Sequence, residues 1–93
     1  MKINEVSVTL LTGLSYLIVQ KYEETDINTI SNEIIDYLKI KTDDITYNDR
    51  INFKARLRNC LNNLIKSGLI EKEQQKSIIY KNFTVYKLIK KTI

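Results

Sequence analysis

The sequence predicts an α+β fold in which three helices are followed by a two-stranded β-hairpin, within one domain spanning residues 1–93. Three observations support this prediction. Apolar residues recur at three- and four-residue steps in three successive segments before Gly68. Beyond Gly68 the residues become strand-favouring and remain so up to Ile89. A length of 93 residues and a hydrophobic fraction of 43% suit one small globular core.

The first helix is expected from about Asn4 to Glu24, and it is apolar over more than half of its circumference. One apolar stripe comprises Val6, Leu10, Leu14 and Leu17, and a second comprises Leu11, Ile18, Val19 and Tyr22. The first stripe suffices to cover a small core. We therefore expect the second to form a homodimer interface, because soluble monomers rarely expose a contiguous apolar patch. The alternative is that one chain buries both stripes.

Capping residues and apolar spacing predict two more helices. The second is expected to begin after a cap at Asn28 or Thr29 and to fade near Lys41. Residues 41–47 are rich in turn-forming types and predict a loop. The third helix is expected to be capped by Asn48 or a neighbour and to end at Gly68, a residue suited to a left-handed cap. Its apolar face comprises Phe53, Leu57, Cys60, Leu61 and Leu64.

The remaining segment predicts two strands joined by a polar turn. Residues 69–73 are expected to form the first strand, residues 74–77 the turn, and residues 78–89 the second strand. The order is therefore helix, helix, helix, strand, strand.

Charge is divided unevenly along the chain. Residues 1–49 contain four basic and nine acidic side chains, a net charge of −5, whereas residues 50–93 contain eleven basic and two acidic side chains, a net charge of +9. Such asymmetry within a small domain indicates a surface for a polyanion. The alternative is a solvated basic face on a lysine-rich protein.

The composition argues against enzymes and membrane proteins. The chain has no His and one Cys, which excludes a His-based catalytic triad and a zinc-ligand cluster within it, and it has no glycine-rich phosphate loop. We therefore expect no catalysis, no cofactor and no bound metal. The apolar stretch from Val6 to Val19 is too interrupted for a bilayer span of about 20 residues. The single Cys agrees with a cytoplasmic location.

Two motifs carry a resemblance to a known family. They are Leu61-x-x-Leu64 leading into Ser67-Gly68-Leu69-Ile70-Glu71, and the later Tyr86-Lys87-Leu88. In this order and spacing the chain resembles the winged helix-turn-helix regulators of prokaryotes, phages and plasmids over residues 4–90. The resemblance implies sequence-specific binding to double-stranded DNA and transcription regulation. It also implies that helix 48–66 enters the major groove and that the wing, residues 72–81, contacts the DNA backbone. The 41–47 loop departs from the family by exceeding its usual tight turn.

The resemblance and the helix register together define a candidate DNA-binding surface. Asn48, Asn52 and Asn59 are expected to contact bases, with Ile51 placed to touch a thymine methyl and Ala55 small enough to permit close approach. The residues expected to contact phosphates or lie beside them are Tyr47, Arg50, Lys54, Arg56 and Arg58 on the helix and Lys72, Lys76 and Lys81 on the wing. The alternative function is a winged-helix module that binds another protein through its apolar first helix.

Overall fold

A computed structural model describes residues 2–76 and 83–89 of the protein. Its elements are a 3₁₀ turn (Ile3–Glu5), α1 (Val8–Tyr22), β1 (Glu24–Thr25), α2 (Ile27–Tyr37), a second 3₁₀ turn (Thr42–Asp44), α3 (Tyr47–Lys66), β2 (Ile70–Gln75) and β3 (Phe83–Leu88). The fold class is α+β, as the sequence predicts.

Side-chain caps set where the helices begin. The Ser7 hydroxyl accepts a hydrogen bond from the Leu10 amide at the start of α1. The cap of α2 is Asp26, whose carboxylate accepts from the Thr29 amide at 2.8 Å, so this helix begins earlier than the predicted caps at Asn28 or Thr29. At the start of α3, Thr46 and Asp49 form a reciprocal capping box.

The sheet has three antiparallel strands in the order β1-β3-β2. The prediction of a two-stranded sheet therefore missed one strand, β1. The additional strand places Glu24 and Thr25 opposite Lys87 and Tyr86. It forms because the chain turns sharply after α1, with Glu23 at a φ of 64°, and thereby comes alongside β3. Strand β2 extends to Gln75, beyond the predicted strand end at Glu73. The first half of the predicted turn, Gln74 and Gln75, lies in this strand, and the last turn residue, Ser77, lies outside the described residues.

The predicted dimer interface on α1 is wrong for three of its four residues. Leu11, Ile18 and Val19 are buried in the core of their own chain. Helix α1 contacts α2, α3 and β3, and most residues of both apolar stripes are buried or partly buried against the core. Leu17, expected in the core, is 59% exposed instead. The fourth predicted residue, Tyr22, is partly exposed, and its hydroxyl donates to Glu33 at 2.5 Å.

The junction of α3 with the sheet agrees with the predicted helix register. Leu61, Leu64 and Cys60 are all buried, and Gly68 adopts the left-handed conformation with a φ of 77°. Ile70 and Tyr86 from the sheet belong to the same buried cluster. No helix in the described ranges is long and apolar enough to cross a membrane.

Candidate nucleic-acid interface

One face of α3 is open to solvent. The five apolar residues that predict the helix register are all buried, which turns the opposite face outward. Asn48, Asn52, Ala55 and Asn59 are exposed on this face, where the sequence predicts base contacts. Ile51 lies beside them with 45% of its surface exposed. The helix register therefore presents a row of amides together with small and branched apolar side chains.

The four basic residues near the start of α3 have different surroundings. Arg58 is exposed, whereas Arg50 and Lys54 are half-buried. Arg56 is also half-buried, and its guanidinium donates a hydrogen bond to the backbone carbonyl of Val6, between the first 3₁₀ turn and α1. The predicted phosphate contact of Arg56 competes with this structural role.

The acidic residue nearest to these bases is held in place by a helix cap. Asp49 accepts hydrogen bonds from the Thr46 amide at 3.1 Å and from the Asn4 side chain at 3.4 Å. The Thr46 backbone amide is the largest cause of a lowered pKa at this carboxyl, followed by the Thr46 and Asn4 side chains. Residues 50–66 contain five basic and no acidic side chains. The exposed face of α3 beyond its first turn therefore carries no negative charge.

A groove of about 660 Å³ lies where the start of α2, the middle of α3 and the sheet meet. Its lining residues are Asp26, Ile27, Asn28, Arg58, Asn62, Lys72, Phe83, Thr84 and Tyr86. The groove thus brings together Arg58 and Lys72, two candidate phosphate-binding residues that are fourteen positions apart. Burial raises the pKa of Tyr86, and the positive charge of Arg58 acts against that rise.

The two faces of the sheet differ in charge. Side chains alternate along β2, so Lys72 lies on one face and Glu71 and Glu73 on the other. Lys72 is paired with Tyr86 and shares the groove with it. On the far face Lys87 forms an ion pair with Glu73, and its hydrogen bond to that carboxylate raises the pKa of Lys87. The acidic residues of β2 are thereby kept away from the groove.

Two other predicted DNA-binding residues, Tyr47 and Lys76, do not line this groove. Tyr47 opens α3 with 79% of its surface exposed, and Lys76 is exposed after β2. Lys81 lies outside the described residues. The sequence analysis missed the start of α2, where Ile27 and Asn28 line the groove. The available signal was Asp26, a strong capping residue three positions before Thr29.

A second groove, of about 640 Å³, lies on another side of the molecule. It is lined by Lys2, Ile3, Asn4, Lys39, Ile40, Lys41, Asp44, Ile45 and Asp49. Its charges are mixed, so it has no clear preference for a ligand of either sign. Among residues 2–76 and 83–89, no group of three Cys, Asp or Glu side chains is arranged to hold a metal ion.

The alternative function, protein binding through α1, has little exposed apolar surface on which to act. Val8 and Leu17 are the most exposed large apolar residues of this helix, at 56% and 59%. They are nine positions apart, which places them on opposite sides of an α-helix. Isolated exposed apolar residues are normal on protein surfaces.

Comparisons with known proteins provide no relative of this chain. No protein-family model matches it, and neither a curated protein sequence nor a solved structure matches it significantly. The candidate interface is therefore described by its own geometry: an open face of α3, without acidic residues beyond its first turn, beside a groove that Arg58 and Lys72 share.

Proposed function

We propose that the protein binds double-stranded DNA in a sequence-specific manner and acts as a transcription regulator of the winged helix-turn-helix type. The observation that carries the proposal is the juxtaposition of Arg58 and Lys72 in one groove beside the exposed face of α3. The order helix, strand, helix, helix, strand, strand supports the winged-helix assignment, as does the pairing of β1 with the returning strand β3.

In this proposal α3 enters the major groove, which is wide enough to admit an α-helix. The DNA backbone beside it passes along the groove between α3 and the sheet, where Arg58 and Lys72 neutralise phosphates. Asp26 also borders this groove, but its carboxylate accepts the Thr29 amide and lies at the positive end of the α2 dipole. Its charge therefore opposes phosphate binding less than that of a free carboxylate.

The test is the salt dependence of binding to a short fluorescent duplex, measured by anisotropy. Contacts by Lys54, Arg58, Lys72 and Lys76 would neutralise about four phosphates and give a slope of about −3.6 in log K against log salt concentration. Lys72→Ala is expected to reduce the magnitude of this slope by about 0.9. Absence of binding to any duplex at low salt would overturn the proposal.

Lys21 provides a matched control for the Lys72 substitution. It lies on α1 and forms an ion pair with Glu33 at 3.4 Å, away from the groove. Lys21→Ala removes the same charge as Lys72→Ala and is expected to leave the salt slope unchanged. Equal effects of the two substitutions would show that net charge, rather than the groove, determines binding.

A further inference from the structure

We propose that α3 selects duplexes rich in A·T pairs, because two parallel rows of its exposed side chains match the major-groove edge of an A·T pair. This inference rests on the proposed function and specifies which base pairs the same surface recognises. The apolar row comprises Tyr47, Ile51 and Ala55. The amide row comprises Asn48, Asn52 and Asn59. All six residues are exposed.

The helix geometry places the two rows side by side. Positions three apart are neighbours on a helix surface and differ by about 60° around the axis. This spacing relates Asn48 to Ile51, and Asn52 to Ala55. Each of these two asparagines therefore has an apolar neighbour on the same exposed face. None of the three amide side chains hydrogen-bonds to another residue in the described part of the chain.

The A·T pair has a matching pair of features in the major groove. Adenine presents its N7 acceptor and N6 donor, which an asparagine amide can engage together, and thymine presents a methyl group. A G·C pair has no methyl group, and its guanine edge offers two acceptors that are best matched by arginine. Of the nearby arginines on α3, Arg56 is bonded to the Val6 carbonyl. Arg58 continues the apolar row toward the groove that it borders, where the proposed function assigns it to a phosphate rather than to a base.

The surrounding charge favours DNA over a protein as the occupant of these rows. Residues 47–66 provide five basic side chains and one acidic side chain, Asp49, which is bound in the capping box with Thr46. Arg58 and Lys72 flank the face on the side of the groove. Tyr47 and Ile51 are four residues apart, so unlike Val8 and Leu17 on α1 they are neighbours on one exposed helix face. Contacts with thymine methyl groups would cover this apolar surface.

The first experiment selects bound duplexes from a pool with randomised central base pairs and sequences them. We expect enrichment of A·T pairs. In a selected duplex, replacing a contacted thymine by deoxyuracil removes only the methyl group and should weaken binding about fourfold. Ile51→Ala should weaken binding to the thymine duplex and reduce the effect of deoxyuracil. Circular dichroism checks that this variant folds, as its half-exposed position predicts.

The second experiment distinguishes the two DNA grooves. Inosine·cytosine pairs resemble G·C in the major groove but lack the minor-groove amino group that separates G·C from A·T. We expect inosine·cytosine duplexes to bind as weakly as G·C duplexes. Lys72→Ala should weaken binding to all these duplexes alike, because phosphate contacts carry no direct sequence information.

Three results would overturn the inference while leaving the proposed function intact. They are DNA binding without enrichment of A·T pairs, binding that is insensitive to deoxyuracil at every thymine, and binding to inosine·cytosine as tight as to A·T. Absence of binding to every duplex would overturn the proposed function as well.

Discussion

Two arginines on α3 provide a sharp test because they have the same chemistry but different surroundings. Arg56 and Arg58 are two positions apart, which places them about 200° apart around the helix. Arg56 donates to the Val6 carbonyl, and Arg58 borders the groove. We therefore expect Arg56→Ala to affect folding and Arg58→Ala to affect DNA binding.

The structure allows both effects to be estimated. A hydrogen bond from a charged donor contributes about 1.5–3 kcal/mol, and because Arg56 is only half-buried we expect Arg56→Ala to cost about 1–2 kcal/mol. For a domain of this size that cost lowers Tm by about 4–16 °C. Arg58→Ala is expected to leave Tm nearly unchanged. It should reduce the magnitude of the salt slope by about 0.9, the contribution of one phosphate contact.

The assays are calorimetry for Tm and anisotropy titrations over about 50–200 mM salt for the slope. Substitution by lysine is a useful control, because it keeps the charge of Arg58 but cannot reproduce the guanidinium geometry at Arg56. Arg58→Lys should therefore bind with the wild-type slope. A loss of Tm in Arg58→Ala equal to that in Arg56→Ala would refute these roles, as would a reduced slope in a folded Arg56→Ala variant.

Three further predictions concern the stability of the fold. Leu61→Ala should lower the free energy of unfolding by about 2–5 kcal/mol in urea titrations, because Leu61 is fully buried beside the sheet. A decrease of less than about 1 kcal/mol would contradict this packing. Ser15→Ala should leave stability unchanged or raise it by about 1 kcal/mol, because the buried Ser15 hydroxyl has no hydrogen-bond partner in the described residues. As a control at the start of the same helix, Ser7→Ala should cost about 1 kcal/mol, because it removes the α1 cap. The pKa of Asp49 is lowered by its capping bonds, so its contribution to stability is present above the ordinary carboxyl pKa of about 3.9 and is lost as the pH falls through the lowered value. The free energy of unfolding should therefore decrease less from neutral to acidic pH in Asp49→Asn than in the wild type. Equal decreases would show that the Asp49 carboxylate does not contribute to the pH dependence of stability.

Much of the candidate site could be predicted because helix register is a local property. The spacing of Phe53, Leu57 and Leu61 defines which side of α3 is buried, and the outward position of Asn48 and Asn52 follows from it. The left-handed conformation of Gly68 was predictable for a similar reason, since few other residues adopt it without strain.

Features that depend on distant contacts could not be predicted in this way. Strand β1 consists of Glu24 and Thr25, which have no alternating apolar pattern, and its pairing requires residues more than sixty positions further along the chain. The burial of Leu11 and Val19 depended on how many neighbours pack around α1, and the sequence did not reveal that number.

The sequence by itself determined the order of the main helices, the exposed face of α3 and the division of charge between the two halves of the chain. The tertiary structure alone decided that α1 buries its second apolar stripe largely within its own chain, that Arg56 binds the Val6 carbonyl, and that Arg58 and Lys72 share a groove. The physical reason is that periodicity and charge are properties of residues near one another in the chain. A groove or a buried stripe is created only when separate elements pack together and exclude water.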